Sequence, residues 1–489
     1  MNQVLGYVFG YGIPLGIALA GMLSILIGFG LLLAWPRQLL MVFVACMVSL
    51  ASSSGYGYED PTDANVFWVK GTRSLFFSFV EMGVFGAWLA MLFRHAWQRE
   101  KQTWLPTSKY YLAFGIILLG WALVGLAEPR HALLLDLSQR GFTDLLWQGM
   151  LATLLVSVVR TPADLKRLTL ILIVCLAGRH IFGLVRYAAF GGDPQNIYAT
   201  VGASKVRITF FDINDSMLAV VMFALCSWRV LVDRLLWSGR WWLFAGGAFM
   251  ALLIPLLSAR RTAQIGLLLG TLVITALLPR GRRWPAVVVL VLAIPLSLAV
   301  QGQRSTLRQG SLIDKTFSDV TSDFQSDPRR SRFHELRTAW ETLKESPILG
   351  LGPSGKFKVF DSTGLEYHSG YYDFVHSGFG HIFLKTGLLG LALFCSLLVA
   401  WGRYVARGWP RIAEAHRGLA VAAIAGLAAL LPTLLVGTPI VELRTMLLMG
   451  FLMALPIVCA RVGAVAAAPV RHPVARATVI GTRPGGALA

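Results

Sequence analysis

Apolar residues dominate this chain in long runs that short polar segments interrupt. Most runs approach the roughly 20 residues that an α-helix needs to cross a bilayer, and they contain few charged residues. The pattern therefore predicts transmembrane helices and about 12 to 13 crossings, the first two runs being joined only by PRQ. The predicted spans are 14–35, 38–54, 75–93, 110–127, 142–159, 168–188, 214–232, 241–258, 262–279, 285–300, 378–401, 418–437 and 443–460.

Basic residues are concentrated at every second connection between these spans. The basic connections are 94–102, 160–167, 229–240, 279–283 and 402–417. Short loops rich in Lys and Arg remain in the cytoplasm, so the intervening connections are predicted to face the outer side. The formal net charge of +19 therefore indicates loops that fix the topology, and we expect no nucleic-acid partner.

The composition agrees with an all-α polytopic membrane protein. The chain has 489 residues, of which 56% are hydrophobic and 14% are charged. The five cysteines lie far apart within apolar segments, which favours small buried residues over disulfides or metal ligands. His376 and His381 would lie on different faces of a helix, and the outer connections lack an Asp-rich cluster. We therefore predict no metal site and no cofactor.

Two adjacent arginines contradict the positive-inside trend. Arg260 and Arg261, in PLLSARRTAQIG, fall at the outer end of a predicted span. A charge at the membrane boundary is costly unless it is paired or functional, although an arginine can also extend to the aqueous interface. Because guanidinium groups stay charged and bind phosphate through paired donors, we predict that this pair binds an anion.

Other outer positions carry further candidates. Arg207 precedes the span 214–232, and Arg186, near the outer edge of the preceding span, either joins an anion site or extends to the interface. His376 stands at the start of the span 378–401. A histidine there can act as a general base near neutral pH, or it can simply form a hydrogen bond with a loop.

The largest polar connection, 301–377, contains a predicted amphipathic helix in SDPRRSRFHELRTAWETLKES. Its apolar stripe, which we expect to pack on the membrane domain, consists of Phe333, Leu336, Trp340 and Leu343. Arg337 lies on another face, where it is either solvated or directed at a substrate. Tyr372, among other aromatic residues, suits a membrane interface or a sugar-binding rim.

These outer-facing motifs, in this order, resemble the O-antigen ligase and O-antigen polymerase superfamily of bacterial inner-membrane glycosyltransferases, over roughly residues 200–390. The shared positions are Arg207 with Asn214, then Arg261, then Arg332 or Arg337 with Trp340, then Pro347, Gly350 and Gly352, and finally His376 with Gly387. This chain departs from the family pattern at three positions. Arg260 replaces a serine, Ser377 replaces an asparagine, and Phe210 replaces a glycine.

The resemblance implies a GT-C-like glycosyltransferase in the bacterial inner membrane, with its active site facing the periplasm. The hydropathy and charge pattern itself predicts the domains, which are transmembrane helices at 1–300 and 378–460, one periplasmic helical domain at 301–377, and a flexible cytoplasmic tail at 461–489. The implied donor is a glycan linked to undecaprenyl diphosphate, within membrane lipids.

The resemblance also implies roles for the candidate residues. The catalytic residues are His376, which deprotonates the acceptor, and Arg261 and Arg207, which stabilise the leaving diphosphate in a metal-independent, inverting displacement. The predicted substrate-binding residues are Arg260, Arg186, Arg337 and Tyr372.

The acceptor is a separate question. We favour a ligase, whose acceptor is the lipid A–core oligosaccharide, over an O-antigen or exopolysaccharide polymerase or a protein O-glycosyltransferase of the same superfamily. A flippase or transporter of lipid-linked oligosaccharides is the alternative from a different class. The chain shows no clear internal repeat, and its candidate residues gather at one face, which favours an enzyme.

Overall fold

The computed structural model describes residues 29–30, 33–50, 68, 78–99, 103–127, 142–193, 207–233, 240–258, 260–289, 291–292, 295, 332–358, 371–372, 374–437 and 439–467. The main helices are α1 (Pro36–Ser49), α2 (Phe79–Gln98), α3 (Ser108–Ala127), α4 (Phe142–Val158), α5 (Pro162–Ala189), α6 (Ile213–Leu231), α7 (Trp241–Leu257), α8 (Arg261–Leu277), α9 (Arg332–Leu343), α10 (Gly378–Gly408), α11 (Glu414–Val436) and α12 (Leu443–Ala467). Short 3₁₀ turns occupy Arg280–Arg282, Trp409–Arg411 and Pro439–Val441. Two short antiparallel strands, β1 (Phe357–Lys358) and β2 (Tyr371–Tyr372), pair Phe357 with Tyr372.

Most of these helices are apolar along their length. By length and composition, five helices among the described residues can cross a membrane, namely α5, α6, α10, α11 and α12. Shorter apolar helices accompany them in α1, α3, α4, α7 and α8. The fold class is therefore confirmed as an all-α polytopic membrane protein. The number of crossings stays a prediction, because most of the candidate span 14–35 and half of the candidate span 285–300 fall outside the described residues.

The core forms where helices approach closely along small residues. Helix α8 packs on α11, α6 packs on α7 and α11, and α12 packs on α4 and α11. At Gly266 in α8, an added Cβ would lie 2.4 Å from the carbonyl oxygen of Ala429 in α11. Such close approach gains dispersion contacts where lipid supplies no hydrophobic driving force. All five cysteines are free, and Cys395 is exposed although we expected it to be buried.

The starts of α6, α8, α10 and α12 lie at the same end of the bundle as the ends of α5, α7 and α11. We call this the site end. Hydrogen bonds connect its loops, since Arg186 donates to the Thr209 carbonyl at 2.7 Å and the Thr209 amide donates to the Leu257 carbonyl at 3.3 Å. Gly378, at the start of α10, packs against Leu434 near the end of α11.

Helix α10 is interrupted at Gly387, whose backbone is non-helical (φ 61°, ψ −161°). The turn 347–352 fills the interruption. The amide of Leu388 donates to the Pro347 carbonyl and the amide of Leu351 donates to the Leu384 carbonyl, both at 2.9 Å. The opened helix therefore recovers the hydrogen bonds that its backbone requires in an apolar environment.

Glycine is required on both sides of this junction. Gly350 also has a positive φ, 75°, and a Cβ there would lie 2.5 Å from the Gly387 amide nitrogen. A Cβ at Gly387 would lie 2.3 Å from the Ile348 carbonyl oxygen. Lys385 fixes the rest of the turn, because its Nζ donates to the carbonyls of Pro353 at 2.9 Å and Gly355 at 2.7 Å. Gly350 of the turn and Gly387 of α10 thus form one close backbone contact, which we call the Gly350–Gly387 junction.

Helix α9 leads into this turn and packs on the start of α10. Leu343 is buried, and Leu336 packs against the small core formed by Ala339, Phe357, Val375 and Leu384. Trp340 stacks on Phe383 of α10 at 5.5 Å between ring centroids, although 47% of it is exposed. The predicted stripe thus does face α10, whereas the Phe333 side chain lies outside the described part of the chain.

Candidate functional site

His376 lies between β2 and α10, and its neighbour Ser377 caps α10 by accepting a hydrogen bond from the Gly380 amide at 3.2 Å. The imidazole Nδ1 lies 3.0 Å from both carboxylate oxygens of Glu335 in α9. The backbone amide of His376 also donates to Glu335 Oε1 at 3.2 Å. The ring is 30% exposed, and Nε2 forms no hydrogen bond with any residue that the structure describes. A single carboxylate therefore engages one ring nitrogen and leaves the other accessible.

The two adjacent arginines occupy different environments. Arg260 precedes α8, donates from Nη1 to the Phe211 carbonyl, and places its guanidinium 4.7 Å from the centre of the Phe211 ring. Arg260 also lines a small crevice with Ile213, Met217, Leu430 and Thr433, among others. Arg261 is the first residue of α8 and is exposed. Arg260 therefore points into the site end, and Arg261 lies on its rim.

Arg186 is held by the loop that it supports. Its Nη2 lies 2.7 Å from Asp193 Oδ2 and donates to the Thr209 carbonyl, while its guanidinium packs over Phe182 and Phe210. Asp193 in turn accepts from the Phe211 amide at 2.7 Å. These contacts fix the segment that follows Arg207. The charge of Arg186 already has a carboxylate partner in this structure.

The remaining predicted site residues are Arg207, Arg337 and Tyr372. Arg207 and Arg337 are exposed, and neither forms an ion pair with a described residue. Arg337 follows Glu335 by two residues in α9 and therefore lies on a different, exposed face of that helix. The backbone of Tyr372 pairs with Phe357, but its side chain lies outside the described part of the chain.

Behind the rim lies a buried ion cluster, which we define as Arg179, Asp212, Asp215 and Arg444. Arg179 binds both oxygens of Asp215, each at 2.8 Å, and Arg444 donates to Asp212 at 2.5 Å. Arg444 is fully buried and also donates to the carbonyls of Met47 and Val48 in α1, both at 3.1 Å. The cluster therefore joins α1, α5, α6 and α12 beneath the site end.

The start of α6 has a capping carboxylate and two buried polar residues. Asp212 caps the helix by accepting from the Asn214 amide at 2.8 Å. The side chains of Asn214 and Asp215 are fully buried, and Asp215 binds Arg179. Because Asn214 and Asp215 bind partners in the interior, Asp212 is the residue left to cap the helix.

Glu442 is a further buried carboxylate at the site end, just before α12. It accepts from Thr445 Oγ1 at 2.9 Å and from Asn214 Nδ2 at 3.4 Å. Burial, together with the nearby charge of Asp212, raises the pKa of Glu442 to about 7, although Arg260 and Arg444 oppose the increase. Among the described residues, no group of three His, Cys, Asp or Glu side chains is arranged to hold a metal ion.

The structure brings the His376 and Arg260 segments to the same end of one helix. Leu430 and Thr433 of α11 border the crevice beside Arg260, and Leu434, one position further, packs on Gly378. The elements that carry the arginines and the histidine therefore surround the end of α11.

Sequence reasoning missed Glu335 and Glu442. Glu335 lies 41 residues before His376, and Glu442 lies 228 residues after Asn214. No local spacing could connect either carboxylate with its partner. One signal was available for Glu335, since it falls within the helix whose arginine and tryptophan carry a family motif.

Fold and site together define a polytopic helical membrane protein whose charged side chains gather at one end of the bundle. Residues 246–395 match the family described as O-antigen ligase. The match supports the O-antigen ligase and polymerase superfamily for this chain, and it implies a glycosyltransferase-like enzyme in general. Arg260, Arg261, Glu335 and His376 fall within the matched residues, whereas Arg207 precedes them. Comparison with curated proteins finds no match.

Proposed function

We propose that this protein is an O-antigen ligase, which transfers a glycan from undecaprenyl diphosphate to the lipid A–core oligosaccharide at the periplasmic face of the bacterial inner membrane. One observation carries the proposal. The family match at 246–395 contains both Arg260–Arg261 and His376, and the structure gathers the segments of these residues around the end of α11.

The chemistry follows from the residue types. The acceptor oxygen forms a bond to the anomeric carbon of the donor sugar, while the bond from that carbon to the diphosphate breaks and its electron pair leaves with the diphosphate. His376 Nε2 takes the acceptor proton, which a positioned base does with a rate gain of about 10²–10⁴. Arg207 and Arg261 stabilise the charge that develops on the leaving group, and attack from the opposite face inverts the anomeric centre.

The remaining proposed contacts are with substrate. In this proposal Arg260 and Arg186 bind the diphosphate, and Arg337 and Tyr372 bind the glycan or the phosphorylated acceptor. Arg337 is exposed on the helix that contacts His376, which suits an acceptor site. The arginines of this outer segment, among them Arg337, would suit a phosphorylated acceptor, which underlies our preference for a ligase.

Reconstitution tests the proposal directly. Purified protein in liposomes receives lipid-linked glycan and lipid A–core, with and without a chelator. We expect glycan attached to the core in both conditions, and a loss of about 10²–10⁴ in rate for a folded His376→Ala variant. Lengthened carrier-linked glycan would identify a polymerase instead. Movement of the intact donor across the bilayer without any transfer would identify a transporter.

A further inference from the structure

We propose that Glu335 is a positioning residue that orients the imidazole of His376 and fixes its tautomer. The inference rests on the proposed glycosyl transfer and adds a residue to that site. The observation behind the inference is that a nearly buried carboxylate in α9 lies next to one ring nitrogen of His376.

The geometry determines which ring nitrogen holds the proton. An ionised carboxylate can only accept hydrogen bonds, and both oxygens of Glu335 lie 3.0 Å from Nδ1. Nδ1 must therefore carry a hydrogen in the neutral ring. Nε2 is then left with a free lone pair, which is the form that a general base requires.

The surroundings of Glu335 argue against a merely solvated charge. Its side chain is only 11% exposed and lies beside the apolar core of Ala339, Phe357 and Val375. Burying a carboxylate is costly unless hydrogen bonds compensate. Within the described ranges, every hydrogen bond to the Glu335 side chain comes from His376. Glu341, on the same helix, is 54% exposed and pairs with Lys344 instead.

The same carboxylate supports the reaction once the proton has moved. When Nε2 accepts the acceptor proton, the ring becomes an imidazolium. The positive charge then lies against the Glu335 carboxylate, whose attraction stabilises it in a partly buried place. Glu335 thus acts through His376 and needs no contact with either substrate.

A purely structural role is the competing explanation, because Glu335 also accepts from the His376 backbone amide and so joins α9 to the segment before α10. Glu335→Gln keeps an acceptor oxygen for that amide but removes the charge and offers an NH₂ group to Nδ1. The substitution therefore separates the two roles. A double-mutant cycle with His376→Ala then shows whether Glu335 acts through the histidine.

The experiment uses the full-length protein with lipid-linked glycan donor and lipid A–core acceptor. We expect Glu335→Gln to lower kcat by about 10- to 100-fold, the range seen when carboxylates that orient metal-binding histidines are removed. The donor KM should stay unchanged. In the His376→Ala background, adding Glu335→Gln should cause no further loss. Glu341→Gln, on the exposed face of α9, is the matched control and should retain the parent rate.

Two results would overturn the inference while leaving the proposed function intact. One is an unchanged kcat in Glu335→Gln. The other is an additional loss of rate, or of thermal stability, when Glu335→Gln is combined with His376→Ala, since that would show a role independent of the ring. Absence of transfer by the parent protein would instead refute the proposed function itself.

Discussion

Two groups of arginines at the site end differ in their surroundings. In the buried ion cluster, Arg179 and Arg444 direct their donors at carboxylates and backbone carbonyls of the protein. On the rim, Arg207, Arg261 and Arg337 are exposed. The buried arginines hold helices together, whereas the exposed ones are accessible to a ligand from outside. Loss of a buried arginine should therefore affect folding, and loss of a rim arginine should affect activity.

The largest effect is expected for Arg444→Ala. The change leaves Asp212 and the α1 carbonyls buried without their partner, and removing one member of a buried ion pair costs about 3–5 kcal/mol. Thermal unfolding in detergent should show a strongly lowered midpoint or no folded protein. Arg337→Ala, on the exposed face of α9, is the control. Equal midpoints for the two variants would refute the distinction between cluster and rim.

The next largest effect is expected for the two adjacent arginines, because Arg260 points into the site end and Arg261 lies on its rim. Arg261→Ala should remain folded and lose on the order of 10²–10³ in kcat, because it removes one donor to the leaving group. Arg260→Ala should mainly raise the donor KM, because Arg260 is proposed to bind the donor and also holds the neighbouring loop through the Phe211 carbonyl. Steady-state kinetics with lipid-linked donor measure both effects. Parent activity in Arg261→Ala, with loss in Arg260→Ala, would transfer the catalytic role to Arg260.

The pH dependence of stability tests the interior further through Glu442. Because the pKa of Glu442 is about 7 in the folded protein, against 4.5 ordinarily, the folded state holds this proton more tightly than the unfolded state does. Its contribution is complete below pH 4.5, declines as pH rises to 7, and amounts to about 3 kcal/mol. Glu442→Gln should therefore unfold at higher temperature than the parent at pH 8 but not at pH 4.5. Parallel curves for the two proteins would contradict this assignment.

The smallest expected effect belongs to Arg207→Lys. Lysine keeps the charge but lacks the planar fork, so one charge-assisted hydrogen bond to a diphosphate is lost. Donor affinity should fall about tenfold, as expected for a bond of about 1.4 kcal/mol. Donor binding to purified protein measures the change, with Arg337→Lys as the comparison. Unchanged donor affinity would remove Arg207 from the diphosphate site.

Several helices could be predicted from the sequence within a few residues. The predicted spans 241–258 and 262–279 correspond to α7 (Trp241–Leu257) and α8 (Arg261–Leu277). The helical prediction succeeds at both segments because a long apolar run, bounded by charged residues, favours a helix. That these two helices cross the membrane stays a prediction. The family motifs likewise identify Arg261 and His376 as candidates from the order of residues along the chain.

The partners of the charged residues could not be predicted in this way. Arg444 meets Asp212 across 232 positions of the chain. Local periodicity carries no information about such pairs, because helix packing alone determines them. The same limit applies to Arg260 and Arg261, since neighbouring side chains on one helix start differ in direction and only the packed loops select the inward one.

The Gly350–Gly387 junction limits how this architecture can vary. The short stretch from Leu343 to Gly352 must keep its length, because an inserted residue would shift α9 along α10 and withdraw the carboxylate from the ring of His376. Homologous enzymes and engineered chimaeras should therefore tolerate length changes before α9 far better than changes between α9 and the turn. An outer segment transferred from another protein would therefore need to bring its own α9 and the following turn together.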